Sequence, residues 1–443
     1  MAIRFPLFIL GLAVAWLACG PSAQAVPAYA RQTGQPCEMC HVGAFGPQLK
    51  PYGREFKLFG YTASNGEDHF PPLAMLTTLT FTNTAKDQPG GAPSTNLFGA
   101  GPNNNFGVDE TALFYAGRIT PEIGAFIQAT YDGIHNVVHW DDTDIRYAKR
   151  GKLFGESLVA GITLNNHPTI QDLWNSTPAW GFPYSASGLA PTPAGSTVID
   201  NALAQRVVGL GAYAMWNNWI FAEADGYQPL ALPTLNGLGI VPISGATTYD
   251  GVMPYWRLAV QHGFGDHYFE LGTYGIAARA FPGNDRSTGR TDDMTDVAFD
   301  ANYQWTGSDE HFISAHATYI DETLKLGASS LLTGANSNDR LSTFRADVSY
   351  SWHDTLIPTV QYFNTHGSAD AAYWGTPNGS PNSAGVRSEL AYVPEGKLGS
   401  FTFFYNARLA LQYTAYGKFD GTTAHASDNN TLFLILTLAG APW

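Results

Sequence analysis

From residue 71 onward polar and apolar side chains alternate in short segments, and no long window follows the 3.6-residue apolar period of a helix. Between Asp142 and Lys149, Asp142, Asp144 and Arg146 share one parity while Thr143, Ile145 and Tyr147 share the other. Between Val297 and Trp305, Asp300, Asn302 and Gln304 oppose Val297, Phe299, Ala301, Tyr303 and Trp305. Between Phe344 and Trp352, Arg345, Asp347 and Ser349 oppose Phe344, Ala346, Val348, Tyr350 and Trp352. This spacing predicts strands. Unpaired buried charge is costly, so the ionic parity does not suit the packed interior of a sandwich. A closed sheet with a polar lumen and a lipid-facing outside accommodates both faces. Trp216, Trp219, Trp305 and Trp352 fall at strand ends, where an interfacial aromatic girdle would lie.

The connections alternate in length. Short ones fall near Thr120–Gly124, Arg150–Gly155, Asn217–Asn218, Gly265–Asp266, Gly307–Glu310, His353–Asp354 and Pro394–Ser400. Between them lie longer stretches rich in Gly, Pro and Asn, such as Lys86–Val108, Asn165–Leu203, Gln228–Pro254 and His366–Gly385. Short periplasmic turns alternating with long external loops are the pattern of an outer-membrane barrel. The segments number roughly sixteen, from Leu73–Asn83 to Thr431–Ala439, within the range such barrels take. The predicted fold is therefore mainly β, a sixteen-stranded antiparallel outer-membrane β-barrel over residues 71–443, with a small N-terminal segment before it. No blade-length repeat supports a propeller instead. Leu432–Leu436 is apolar on both parities, and the terminal Trp443 resembles the closing aromatic of outer-membrane proteins.

Composition agrees with a chain that meets something other than water. Charged residues make up only 14% of it and aromatics 13%, against about 25% charged in an ordinary soluble domain. Residues 1–25 hold one basic residue, Arg4, an apolar run from Phe5 to Ala18 and the small-residue site Ser22–Ala25, which together predict an export signal cleaved before Val26. Trp16, where a lipid-attachment signal wants Leu, argues against lipidation at Cys19. The net charge of -14 excludes nucleic acid as a natural partner, since phosphate binding needs clustered Lys and Arg.

Chemistry concentrates in one place. Cleavage leaves two cysteines, too few for a disulfide framework, in the run Cys37-Glu38-Met39-Cys40-His41. Two thiols at this spacing add to the two vinyl groups of a haem, and the adjacent His presents its imidazole to the iron. Cys37 and Cys40 are thus the expected thioether attachments of one haem c and His41 the proximal iron ligand, within a cytochrome segment spanning residues 26–70. No second cysteine pair completes a zinc site. Three readings of the sixth iron position stand: Met75, His69, or an open or other-ligated site. Met75 would raise the reduction potential relative to a second imidazole, but it shares parity with Leu79 and Phe81.

Elsewhere, His135, His139, His167, His366, His425 and His353 fall in expected loops or turns and read as solvated. Asp292, Asp293 and Asp296 read as a solvated acidic face, with divalent-cation attraction as the alternative. Asn165-Asn166 and Pro168–Trp174 belong to a long loop of amide and aromatic character, of the kind that can fold inward to line a lumen.

Ala30-Arg31-Gln32-Thr33-Gly34, the Cys-x-x-Cys-His run, Pro47-Gln48-Leu49 and Phe56–Tyr61 together resemble the fused cytochrome–porin iron oxidases of iron-oxidising bacteria. The resemblance continues through Leu164-Asn165-Asn166 with Pro168–Trp174, Leu411–Tyr416 and Ala426–Thr431, and departs at His167 and just before Ala426. It implies a monohaem cytochrome plugging a sixteen-stranded barrel in the outer membrane. Such a protein takes electrons from extracellular Fe(II) and passes them to a periplasmic cytochrome or other soluble carrier. Two alternatives remain: a porin whose haem-bearing plug is a gate or sensor, and a conduit exporting electrons to external acceptors.

Overall fold

The computed structural model describes residues 26–66, 71–88, 90–91, 95–240, 245–308, 310–394 and 404–441. The export signal at 1–25, His69 and Trp443 lie outside the described residues.

Sixteen long antiparallel strands form one closed sheet. In chain order they are β1 (Leu73–Thr84), β2 (Asn105–Thr120), β3 (Ile123–Asp132), β4 (Val137–Leu153), β5 (Glu156–Asn165), β6 (Val207–Trp216) and β7 (Ile220–Pro229). After the two-residue β8 (Thr248–Tyr249) come β9 (Met253–Phe264), β10 (His267–Phe281), β11 (Asp292–Trp305), β12 (His311–Leu326) and β13 (Asn338–Trp352). The last are β14 (Leu356–Gly367), β15 (Ser383–Tyr392), β16 (Phe404–Lys418) and β17 (Thr431–Gly440). Pairing of β1 with β17, from Met75 opposite Gly440 to Thr84 opposite Thr431, closes the ring. β8 pairs only with the far end of β10, so it is an appendage and not a stave. Closure matters because a bilayer offers no water to an unpaired strand edge.

Side-chain parity follows the sequence pattern. Asp144 and Arg146 are fully buried inside, as are Asn302, Gln304 and Ser349 at 3% exposed or less, while Phe299, Val348 and Trp352 stand exposed outside. An apolar outside over a polar inside identifies an integral membrane barrel, and sheets of this kind belong to the bacterial outer membrane. Two of the short turns, Asn217-Asn218 and His353-Asp354, place both residues at positive φ, the conformation that lets a two-residue hairpin follow strand twist.

The lumen is filled from both ends. At the short-turn end sits the N-terminal segment, with helices α1 (Pro27–Thr33), α2 (Cys37–Cys40) and α3 (Pro51–Leu58). Here the inner parity of the wall turns apolar. Ala28, Phe56 and Tyr61 pack with Ala74, Phe114 and Phe126, and Cys37 and Ala44 pack with Phe433 and Ile435 of β17. That contact explains why β17 is apolar on both faces: one meets lipid and the other the plug. From the long-loop end, residues 166–206 descend into the lumen, and Val198, Ile199 and Leu203 pack against Tyr255, Tyr274 and Ile276 of the wall.

A cation placed on the outer parity tests the assignment of faces. Val360, 54% exposed midway along β14, faces outward. Val360→Arg is expected to destabilise the barrel by roughly 2–4 kcal/mol in a bilayer, read as a lower urea midpoint in lipid vesicles. An unchanged midpoint would mean this face does not meet hydrocarbon.

Candidate functional site

The Cys-x-x-Cys-His run forms a single turn whose exit is fixed by backbone bonds. His41 N donates to Cys37 O at 2.8 Å, Lys50 N donates to Cys40 O at 2.8 Å, and His41 bridges to Leu49. α3 lies so close that a Cβ on Gly53 would stand 2.4 Å from the Cys40 carbonyl oxygen, so only glycine permits this packing. Pro51 opens α3 at a position where its missing N–H costs nothing.

Cys37, Cys40 and His41 border one internal cavity of about 550 Å³, inside the roughly 300–1,000 Å³ typical of cofactor sites. Its aromatic wall includes Tyr29, Phe56, Phe114, Phe126 and Trp180, with ring centroids of Phe126 and Trp180 5.7 Å apart. Both thiols are free. Burial raises the Cys40 thiol to about 12 and pushes the His41 imidazole down to about 4, so the ring is neutral. Its Nδ1 is buried without a hydrogen-bond partner. Two unpaired thiols and a neutral imidazole on the aromatic side of one cavity fit a covalently attached haem, with Cys37 and Cys40 as thioethers and His41 as the iron ligand. Among the described residues, no three His, Cys, Asp or Glu side chains are grouped to hold a bare metal ion.

Met75 borders the same cavity, yet the register directs its side chain outward: it stands opposite Leu113, 55% exposed, and two parities from Leu79. Parity set by a closed sheet outweighs proximity, so the geometry gives Met75 a lipid-facing position. His69, the other sixth-ligand candidate, lies outside the described residues.

The plug is tied to the wall by charge-assisted bonds. Lys50 pairs with Asp354 at 2.7 Å, and the same Asp354 accepts Gly43 N at 2.9 Å. Arg54 donates to Gln304 and to Leu49 O, and stacks over Trp174 at 3.7 Å. Lys57 donates to Ile170 O, Asp172 O and Asn175 Oδ1 at 2.6–2.7 Å, so all three of its N–H bonds hold the descending loop. Asp172 in turn accepts the N–H groups of Trp174, Ser176 and Thr177 and lies 3.4 Å from Arg257.

Several sequence expectations are corrected here. His167 is not solvated: at 5% exposed it bonds Asp142 at 2.8 Å through Nδ1 and Asn201 at 3.1 Å through Nε2. Asp292 and Asp296 are not a surface cluster. Asp292 accepts the N–H groups of Ala328 and Ser329, and Asp296 accepts Ile199 N at 2.8 Å beside Glu322. Both lie on the lumen parity, where loop backbone donors reach Asp292 and Oδ2 of Asp296, Oδ1 of Asp296 staying unpartnered. Arg54 and Lys57 reach into the lumen, which an amphipathic reading of so short a helix could not show. The cavity's far wall, Glu110, Gln128, Asp141 and Asp142, also escaped sequence reasoning, because strands distant in sequence bring it together.

No protein-family model matches the chain, and no curated protein matches it. Among solved structures it is similar to a loop-deletion form of OmpT, an outer-membrane protein of Vibrio cholerae, with a TM-score of 0.45 at 11% identity over 83% of this chain and 98% of that one. The outer-membrane channel DcaP of Acinetobacter baumannii gives a TM-score of 0.45 at 10% identity, over 83% and 96%. The anion-selective porin of Comamonas acidovorans gives 0.43 at 10% identity, over 83% and 98%. Likeness this distant carries no weight by itself, and the class rests on the chain's own pairing and parity. They define an outer-membrane β-barrel of porin type. Within that class this barrel holds its own N-terminal helical segment in the lumen, with a Cys-x-x-Cys-His turn facing a cavity there.

Removing the Lys57 ammonium tests the coupling of plug and loop. Lys57→Met leaves Asp172 O and Asn175 Oδ1 without this donor, Ile170 O keeping the Trp180 indole N–H, and is expected to cost roughly 3–5 kcal/mol, seen as faster limited proteolysis within 166–206. Acid should loosen the same loop. Burial raises the Asp172 carboxyl, but Arg257 and the backbone donors outweigh it, so it titrates below its ordinary value. Its contribution is therefore complete above the unfolded value of about 3.9 and is lost as pH falls through the lower folded value. Proteolysis of 166–206 that did not rise in that acid window, in Asp172→Asn as in the parent, would remove Asp172 from this role.

Proposed function

We propose that this protein is an outer-membrane cytochrome that takes electrons from extracellular Fe(II) at a single haem c and delivers them to a periplasmic carrier. The observation that supports it most is the Cys-x-x-Cys-His turn opening into a cavity inside a lumen that is otherwise filled. Thr163, Gln304, Gln361 and Gln412, lumen-facing positions spread around the ring, are at most 3% exposed, which leaves little room there for a water-filled diffusion path.

A haem held by Cys37, Cys40 and His41 supplies one-electron chemistry at this point. The chain's own residues do the rest. Tyr29, Phe56, Phe126 and Trp180 give the cavity an aromatic side, and the Lys50, Arg54 and Lys57 contacts hold the attachment turn in one position. Glu110, Asp141 and Asp142 also line the cavity, and carboxyl groups there favour a cation over an anion. Short turns face the periplasm in barrels of this class, so the plug lies at the periplasmic end and the acidic wall farther out. Iron as the donor rests on the family resemblance together with that acidic wall.

A second reading keeps the porin architecture as the function, with the plug as a gate. The favouring observation is that the plug is tied to the wall by reversible ion pairs such as Lys50 with Asp354. Export of electrons is the same conduit run outward, and a low haem potential would select it.

Anaerobic stopped-flow mixing of the haem-loaded protein with ferrous iron is expected to give the reduced haem spectrum, and a Cys37→Ala, Cys40→Ala variant is expected to give none. Failure with iron in a protein that dithionite reduces would sink the iron reading. Passage of small sugars in a liposome-swelling assay would favour the gated porin. Glu110, whose one recorded partner is Thr78 at 3.4 Å, allows a finer test. Glu110→Gln should slow reduction by Fe(II) several-fold at low salt while leaving reduction by anionic dithionite no slower.

A further inference from the structure

Behind the descending loop, away from the cavity, β7 carries Glu223 and Asp225 on the lumen parity, only 5% and 6% exposed. Their carboxyl groups are within hydrogen-bonding reach of one another. Neither oxygen of Glu223 has a partner, and neither has Oδ1 of Asp225. That Oδ1 stands 1.5 Å from where a Cβ on Gly211 would be, so the absent side chain of Gly211 makes its room. Gln171 of the loop, fully buried, donates Nε2 to Asp225 Oδ2 at 3.1 Å and to Tyr227 Oη at 2.8 Å, and its own Oε1 is unpartnered. Tyr255 lies directly across from Asp225 in the register, 2% exposed, edge-on to Tyr227 at 6.1 Å, with its hydroxyl unpartnered.

Two carboxylates in contact with a single amide donor between them cannot both stay charged and otherwise bare in a buried place. The surrounding network does not supply the missing charge. Arg257 is shared among Asp172, Glu270 and Asp300, and Arg146 is engaged by Asp144. With Arg54 and Lys57 included, four basic side chains stand among six carboxyl groups, counting Glu223 and Asp225. An excess of two carboxyl groups is what one divalent cation can neutralise. The unpartnered atoms are oxygens throughout: a carboxylate pair, an amide oxygen and a phenol.

We propose that Glu223, Asp225, Gln171 and Tyr255 form a site for one hard divalent cation of the calcium type, water completing its shell. Calcium takes 6–8 oxygen ligands, whereas the absence of thiolate and imidazole donors disfavours zinc and copper. Because Gln171 belongs to the loop and the other three to the wall, the ion fastens the loop in its descended position. The site is independent of the haem, so its test leaves the electron-transfer reading untouched.

The test uses the full chain in detergent, stripped with chelator and titrated with Ca²⁺ by calorimetry and with Mn²⁺ by loss of the free-ion resonance signal. One Ca²⁺ per chain, displaceable by Mn²⁺ and lost in E223Q/D225N, is expected. Tyr255→Phe should keep heat-modifiable migration and weaken Ca²⁺ binding several-fold. If the double variant does not fold, Y255F decides, and an unchanged affinity overturns the site. No binding by the parent protein at millimolar Ca²⁺ would also overturn it, leaving a proton shared between the two carboxyls.

Discussion

A bilayer supplies no hydrogen bonds, and the closure of β1 on β17 is the response on which the rest of the molecule depends. Once the sheet is a ring, period-two alternation puts one set of side chains in hydrocarbon and the other in an enclosed space. The enclosed set carries charge, since Asp144, Arg146, Arg257 and Asp300 all point there. Charges removed from both water and lipid must be answered by other groups. Two segments that are not strands answer them: the N-terminal plug with Arg54 and Lys57, and the 166–206 loop with Asp172 and the backbone of Val198 and Ile199.

The plug and the loop therefore depend on each other. Lys57 binds three acceptors on the loop, and Trp174 from the loop lies under Arg54. The cavity beside Cys37, Cys40 and His41 lies between them, walled by Phe56 from one and Trp180 from the other. In the function proposed above, a lumen packed in this way holds a redox group at a fixed depth in the membrane. A chain that conducts electrons needs a continuous, rigid support for its cofactor, and a chain that conducts solutes needs an empty one.

The alternating strands, the sixteen staves and the rhythm of short and long connections were legible in the sequence, because each depends only on neighbours within about ten residues. The strand limits show it: Leu73–Asn83 was expected and Leu73–Thr84 found, Thr431–Ala439 expected and Thr431–Gly440 found. The Cys-x-x-Cys-His run stands out in the sequence, and the structure sets it as one turn beside the lumen cavity. The apolar inner parity of β17 was visible but unexplained until the plug was seen against it. His167 was read as solvated because nothing local marks a loop as descending.

By itself, then, the sequence determined the barrel and which parity of each strand faces inward, both consequences of local periodicity. Tertiary structure alone decided what fills the lumen. The pairing of Lys57 with Asp172, of Asp354 with Gly43, and the meeting of Glu223, Asp225 and Gln171 join residues 54 to 311 positions apart. Such meetings depend on where a closed ring brings distant strands and which buried charges remain to be neutralised, and no local pattern encodes that.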